Sequence, residues 1–139
     1  MGMSEASFEV ERLVVASARF QLFVGMRTNI SLPPSALTTH VELTKTEILG
    51  LIQRFLAEHQ QTISSYNVTE VDFIRHDYHE FGWRIETVNY PTRPQVIAKL
   101  SVEIEELGRY MLKHAGQERV CIVKPTNTIL LRRKPEESP

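Results

Sequence analysis

The chain has 139 residues, 42% hydrophobic and 24% charged, the composition of one globular domain, which excludes a wholly disordered chain. Its 16 basic and 17 acidic side chains leave a formal net charge of −1. Neither nucleic acid nor a membrane surface is therefore an expected partner. The single cysteine, Cys121, excludes an internal disulfide and fits a reducing, cytoplasmic setting.

No leader-like or membrane-spanning run is legible. The first apolar run, 13–16, follows Glu9, Glu11 and Arg12 and is too short for either. Residues 1–134 read as a single α+β domain and 135–139, polar and bounded by proline, as a frayed tail.

In chain order, residues 7–15 fit a short helix or a leading strand equally well. Over 17–27, Phe20, Leu22, Val24 and Met26 alternate with Arg19, Gln21, Phe23 and Gly25, which predicts a central strand. Pro33-Pro34 then places a loop over 29–39. Thr44 and Glu47 have the spacing of a capping box, and Leu43 and Ile48 that of a hydrophobic staple. Ile48, Leu51, Ile52, Phe55 and Leu56 continue as one stripe, so a helix is expected over 44–60.

Val71 and Phe73 alternate with Asp72 and Ile74. After a hairpin tip at 76–80, Phe81, Trp83, Ile85 and Thr87 alternate with Gly82, Arg84, Glu86 and Val88, giving an antiparallel pair. Pro94 suits the first turn of a helix, and Val96, Ile97, Leu100, Ile104, Leu107 and Met111 form its apolar stripe. Lys99 with Glu103 and Glu105 with Arg109 are spaced as surface ion pairs. Gly108 would allow close packing, and Gly116 would cap the end near 114. Residues 119–124 read as a strand and 128–132 as a short edge strand guarded by Arg132, Arg133 and Lys134.

The order β-α-β-β-α-β, with a short extra C-terminal strand, is the ferredoxin-like pattern: an antiparallel sheet with two helices on one face. That pattern hosts many functions and selects none. Phe20, Leu22, Val24, Phe81, Trp83 and Ile85 are expected toward the helices. Arg19, Gln21, Phe23, Arg84, Glu86 and Val88 then face away, with Asp72, Ile74, Cys121 and Val123 as further candidates for the outer face.

This mixed apolar and charged face carries the functional expectation. Its leading form is a non-enzymatic ligand-binding or assembly module that self-associates through the open face into a homodimer or higher homo-oligomer. The alternative is a small enzyme with a pocket on that face, a small-molecule ligand, and His76, His79, Arg84 and Glu86 as anion anchor and acid–base groups. His76 and His79, with Asp77 and Glu80, form the densest titratable cluster. A solvated hairpin tip outweighs a metal site there, since nothing else has matching ligand spacing. No metal and no cofactor is expected. His59 and His114 suit helix ends, and Cys121 reads as an inert thiol.

Overall fold

The computed structural model describes residues 8–25, 42–59 and 62–134, and these form a small α+β domain. Its elements are β1 (Arg19–Gly25), α1 (Lys45–Glu58), β2 (Asn67–Arg75), β3 (Tyr78–Val88), α2 (Ile97–His114), β4 (Arg119–Val123) and β5 (Thr128–Arg132). The five strands make one sheet in the order β2-β3-β1-β4-β5, with every neighbouring pair antiparallel. The expected loop at 29–39 and the tail at 135–139 lie outside the described residues.

Alternation decides what each strand buries. Phe20, Leu22 and Val24 of β1, Trp83 and Ile85 of β3, and Val120 and Ile122 of β4 are buried in one cluster with Ile48, Leu51, Ile52 and Phe55 of α1 and Leu100, Ile104, Leu107 and Met111 of α2. Fully burying a side chain of this size stabilises by about 1.5–3 kcal/mol before chain entropy is set against it. Trp83 is buried whole because its indole N–H donates to the Leu43 carbonyl at 2.9 Å.

Local chemistry sets the helix limits. Thr44 and Glu47 form the expected capping box, with the Glu47 amide donating to Thr44 Oγ1 at 3.2 Å and the Thr44 amide to Glu47 Oε1 at 3.0 Å. Helix α2 ends where Gly116 takes φ 64°, the left-handed conformation that glycine adopts without strain. Gly108 lets this helix close on the sheet, since a Cβ there would lie 3.0 Å from Ile122 Cδ1 and 3.1 Å from Leu131 Cδ1.

Several expectations are corrected. Helix α2 starts at Ile97, not Pro94, because the Gln95 amide donates to Asn89 Oδ1 and holds the chain outside the helix; Val96, its N-cap, is exposed. Two predicted surface ion pairs do not form, because tertiary partners are closer. Glu103 is buried and accepts from the Tyr66 hydroxyl, and Glu105 pairs with the half-buried Lys124 at 2.8 Å. Residues 8–18 are neither helix nor strand; Asn89 holds them by donating to the Ala16 and Ala18 carbonyls. Arg133 is not simply solvated, because its guanidinium donates to the Leu112 and Gln117 carbonyls beyond the end of α2. No helix among the described residues is long and apolar enough to cross a membrane.

Candidate functional site

The face away from the helices is built in rows by the strand register. Thr69, Arg84, Phe23, Cys121 and Leu130 form one row across all five strands. Asn67, Glu86, Gln21, Val123 and Thr128 form the next. Toward the β2–β3 turn the same face continues through Val71 and Gly82 to Phe73 and Glu80. Asp72 and Ile74, expected on this face, point the other way. The two-residue turn at 76–77 pairs Asp72 with Phe81 and Ile74 with His79, and a one-residue change of register exchanges the faces.

Phe73 is held by Gly82. Its ring occupies the space where a Cβ on Gly82 would sit, 2.2 Å from Phe73 Cε2. Phe23 meets Phe73 edge-on, with ring centroids 6.0 Å apart. Beside this aromatic pair lies a groove of about 570 Å³, lined among others by Phe23, Phe73, Tyr78, Glu80, Arg119 and Cys121. A glutamine closes one end: the Gly25 amide donates to Gln117 Oε1 at 3.0 Å, and Gln117 Nε2 donates to the Gly25 carbonyl at 2.9 Å. These two bonds tie the end of β1 to the segment entering β4.

The electrostatics of the groove are mixed. A side-chain hydrogen bond to Glu80 is the main cause holding the exposed Tyr78 phenol above its ordinary pKa. Arg75 stacks over the Tyr78 ring at 4.9 Å. Burial raises the Cys121 thiol above its usual value, so at neutral pH it is protonated and a poor nucleophile. Glu86 is buried, and its carboxylate is taken by Arg19 Nε at 3.3 Å and Gln21 Nε2 at 3.2 Å.

The four sequence-predicted site residues are thus distributed over two faces. Arg84 and Glu86 lie on the outer face, in the rows of Phe23 and Gln21. His79 lies on the opposite face of the projecting hairpin, where its Nε2 meets Asp72 Oδ1 at 2.8 Å and its ring tilts against Phe81. His76 is exposed in the turn. Among the described residues no three His, Cys, Asp or Glu side chains converge to hold a metal ion. Sequence reasoning missed Phe73, Gln117 and Arg119, and named Glu80 only within the hairpin cluster. A signal existed for Phe73: a glycine inside a strand of large residues marks the close approach of another group. None existed for Gln117, whose role depends on a contact with Gly25, 92 positions away.

A second cavity, of about 670 Å³, lies between the end of α1 and α2 and is lined by His59, Glu103 and Glu106 among others. His59 stacks on Phe55 at 4.1 Å, and its Nδ1 lies 2.8 Å from the Phe55 carbonyl, the helix-end role its position predicts. Its Nε2 faces Glu106 Oε2 of α2 at 3.5 Å, so both ring nitrogens have partners.

No protein-family model matches the chain, and no curated protein matches its sequence. The fold is nevertheless similar to solved structures. One is a phage SAM lyase in complex with S-methyl-5′-thioadenosine, with a TM-score of 0.62 and 13% identity over 94% of this chain and 100% of that one. Another is the phage SAM lyase in the apo state, with a TM-score of 0.63 and 14% identity over the same shares of each chain. At such identity the likeness is one of fold. It overturns the expectation of a non-enzymatic binding or assembly module, since both neighbours are structures of an enzyme. The physical reason lies in the outer face, which holds a groove beside the β2–β3 hairpin rather than an even surface.

Proposed function

We propose that this chain is a small enzyme of the lyase type that cleaves a carbon–sulfur bond of S-adenosylmethionine in the outer-face groove, releasing S-methyl-5′-thioadenosine. The observation that carries the reading is the lining of the groove: Phe23, Phe73 and Tyr78 beside the Glu80 carboxylate. Aromatic faces attract a cation, and a carboxylate attracts it further. Flat rings also suit a purine. A sulfonium nucleoside combines both chemistries. The similarity of fold to SAM lyase structures over nearly the whole chain supports the same reading.

The chemistry asks little of acid–base groups. When the bond between sulfur and the γ carbon breaks, its electron pair goes to the sulfonium, which leaves as a neutral thioether needing no proton. The four-carbon fragment completes its valence in one of two ways: it loses a β proton to a base, or its own carboxylate closes on the γ carbon. Neither route consumes water. The groove's task is to hold the sulfonium and aim the tail. With His79 tied to Asp72, we assign the role beside the sulfonium to Glu80, which lines the groove with the aromatic pair, as Glu118 also does.

We infer further that the architecture is the ferredoxin-like arrangement with one added edge strand, supported by the order β2-β3-β1-β4. We also infer that the chain forms a homo-oligomer; the half-exposed Tyr78, Phe81 and Leu130 support this. Light scattering of a monomer at tens of micromolar would end that inference.

Incubation of the purified chain with S-adenosylmethionine, followed by chromatography of the nucleosides, tests the activity. S-methyl-5′-thioadenosine should accumulate in proportion to the protein, and Glu80→Gln should slow it by about 10-fold or more. No nucleoside release above the spontaneous rate would refute the reading.

A further inference from the structure

Arg84 stands at the centre of β3 on the outer face, directly across from Phe23 on β1 and Thr69 on β2. Cross-strand neighbours hold their Cβ atoms about 4.5–5.5 Å apart, so Arg84 stands beside Phe23, next to the groove though not among the residues that line it. Its side chain is half-buried. The Nε is shut off from solvent with no hydrogen-bond partner, and the guanidinium has one long bond, 3.4 Å from Nη2 to Thr69 Oγ1.

The carboxylates nearest along the strand are engaged elsewhere. Glu86 serves Arg19 and Gln21, and Glu80 serves Tyr78. Other cations differ. Lys124 is half-buried but paired with Glu105 and Ser101. Arg75, Arg119 and Arg132 are exposed, where water satisfies them. Among the described residues Arg84 is the half-buried cation without an acidic partner: its Nε is shielded and unpaired, while its Nη2 contact with Thr69 is exposed. Leaving the Nε–H shielded without an acceptor is unfavourable unless a ligand supplies one.

We propose that Arg84 is the specificity residue of the groove, binding the α-carboxylate of the substrate's amino-acid tail while the aromatic pair holds the nucleoside. A planar guanidinium matches a carboxylate with two parallel hydrogen bonds. The inference rests on the lyase reading of the same groove and adds to it a means of separating substrate from product. S-adenosylmethionine carries the carboxylate, and S-methyl-5′-thioadenosine does not.

Calorimetric titration of both compounds into wild type, Arg84→Gln, Arg84→Lys and Arg109→Gln tests it. Arg84→Gln should weaken S-adenosylmethionine by about 10-fold or more, the usual worth of a charge-assisted pair. It should leave S-methyl-5′-thioadenosine within about twofold. Arg84→Lys should recover part of the loss, and Arg109→Gln, at an exposed position on α2 outside the groove, should change neither affinity as much. Loss of both ligands equally, or of neither, in Arg84→Gln would overturn the assignment while leaving the lyase reading intact. A wild-type chain that binds neither compound would overturn both. Arg84→Gln should unfold at the same denaturant concentration as wild type or higher, because it removes an unpaired charge. A marked fall would make Arg84 a structural residue and end the proposal.

Discussion

Replacing Gly82 with alanine tests whether the groove's aromatic wall and the β1–β3 pairing compete for the same space. Gly82 has no positive φ, so the requirement is room and not backbone freedom. A Cβ there would lie 2.2 Å from Phe73 Cε2 and 2.7 Å from the Val24 carbonyl oxygen. The ring can swing aside; the carbonyl belongs to the backbone of a central strand and moves only by loosening the pairing at Gly25 and Gly82. Overpacking of this kind costs about 1–3 kcal/mol, and alanine returns about 0.5–1 kcal/mol relative to glycine within a strand. A net loss of about 1–2 kcal/mol is expected, read as a lower urea midpoint with an unchanged slope. In a Phe73→Ala background the ring clash disappears and the carbonyl clash remains, so the cost should shrink but persist. Gly82→Ala as stable as wild type, or more stable, would refute the reasoning.

Two further predictions concern ionisation. Burial, then the Glu103 carboxylate, pushes the Tyr66 phenol far above its ordinary value of 10.0. A folded pKa raised above the unfolded one stabilises fully below pH 10 and loses that contribution as pH rises beyond it. Stability should therefore fall above pH 10 in wild type and fall less in Tyr66→Phe, measured by urea midpoints across the alkaline range; identical profiles would refute the pair's role. The Cys121 thiol, raised by burial and lining the groove, should be alkylated by iodoacetamide at pH 8 more slowly than free cysteine, and more slowly still with S-methyl-5′-thioadenosine present. Alkylation at the free-thiol rate, unaffected by the nucleoside, would place that ligand elsewhere.

The candidate site was legible only in part. Arg84 could be placed on the outer face because alternation along 81–88 is clean and Trp83 must be inside. Glu86 was placed equally well, but its occupation by Arg19 and Gln21 depends on which strand lies beside it. His76 and His79 drew notice through their density in sequence. His76 lies in the turn and His79 on the inner side of β3, so density along the chain is a poor guide to convergence in a sheet.

What the sequence determined by itself were the features that depend on near neighbours: the capping box at Thr44, the glycine stop at Gly116, the apolar stripes of both helices and the inward set on β1. Each is decided by chemistry within about one or two turns or a strand's own alternation. Tertiary structure decided the rest. The register of β2 against β3 turned Phe73 outward and Asp72 inward, Gln117 found Gly25, and Glu103 turned from Lys99 to Tyr66. These outcomes weigh one partner against another across tens of residues, and the winning partner becomes a neighbour only when the chain has closed on itself.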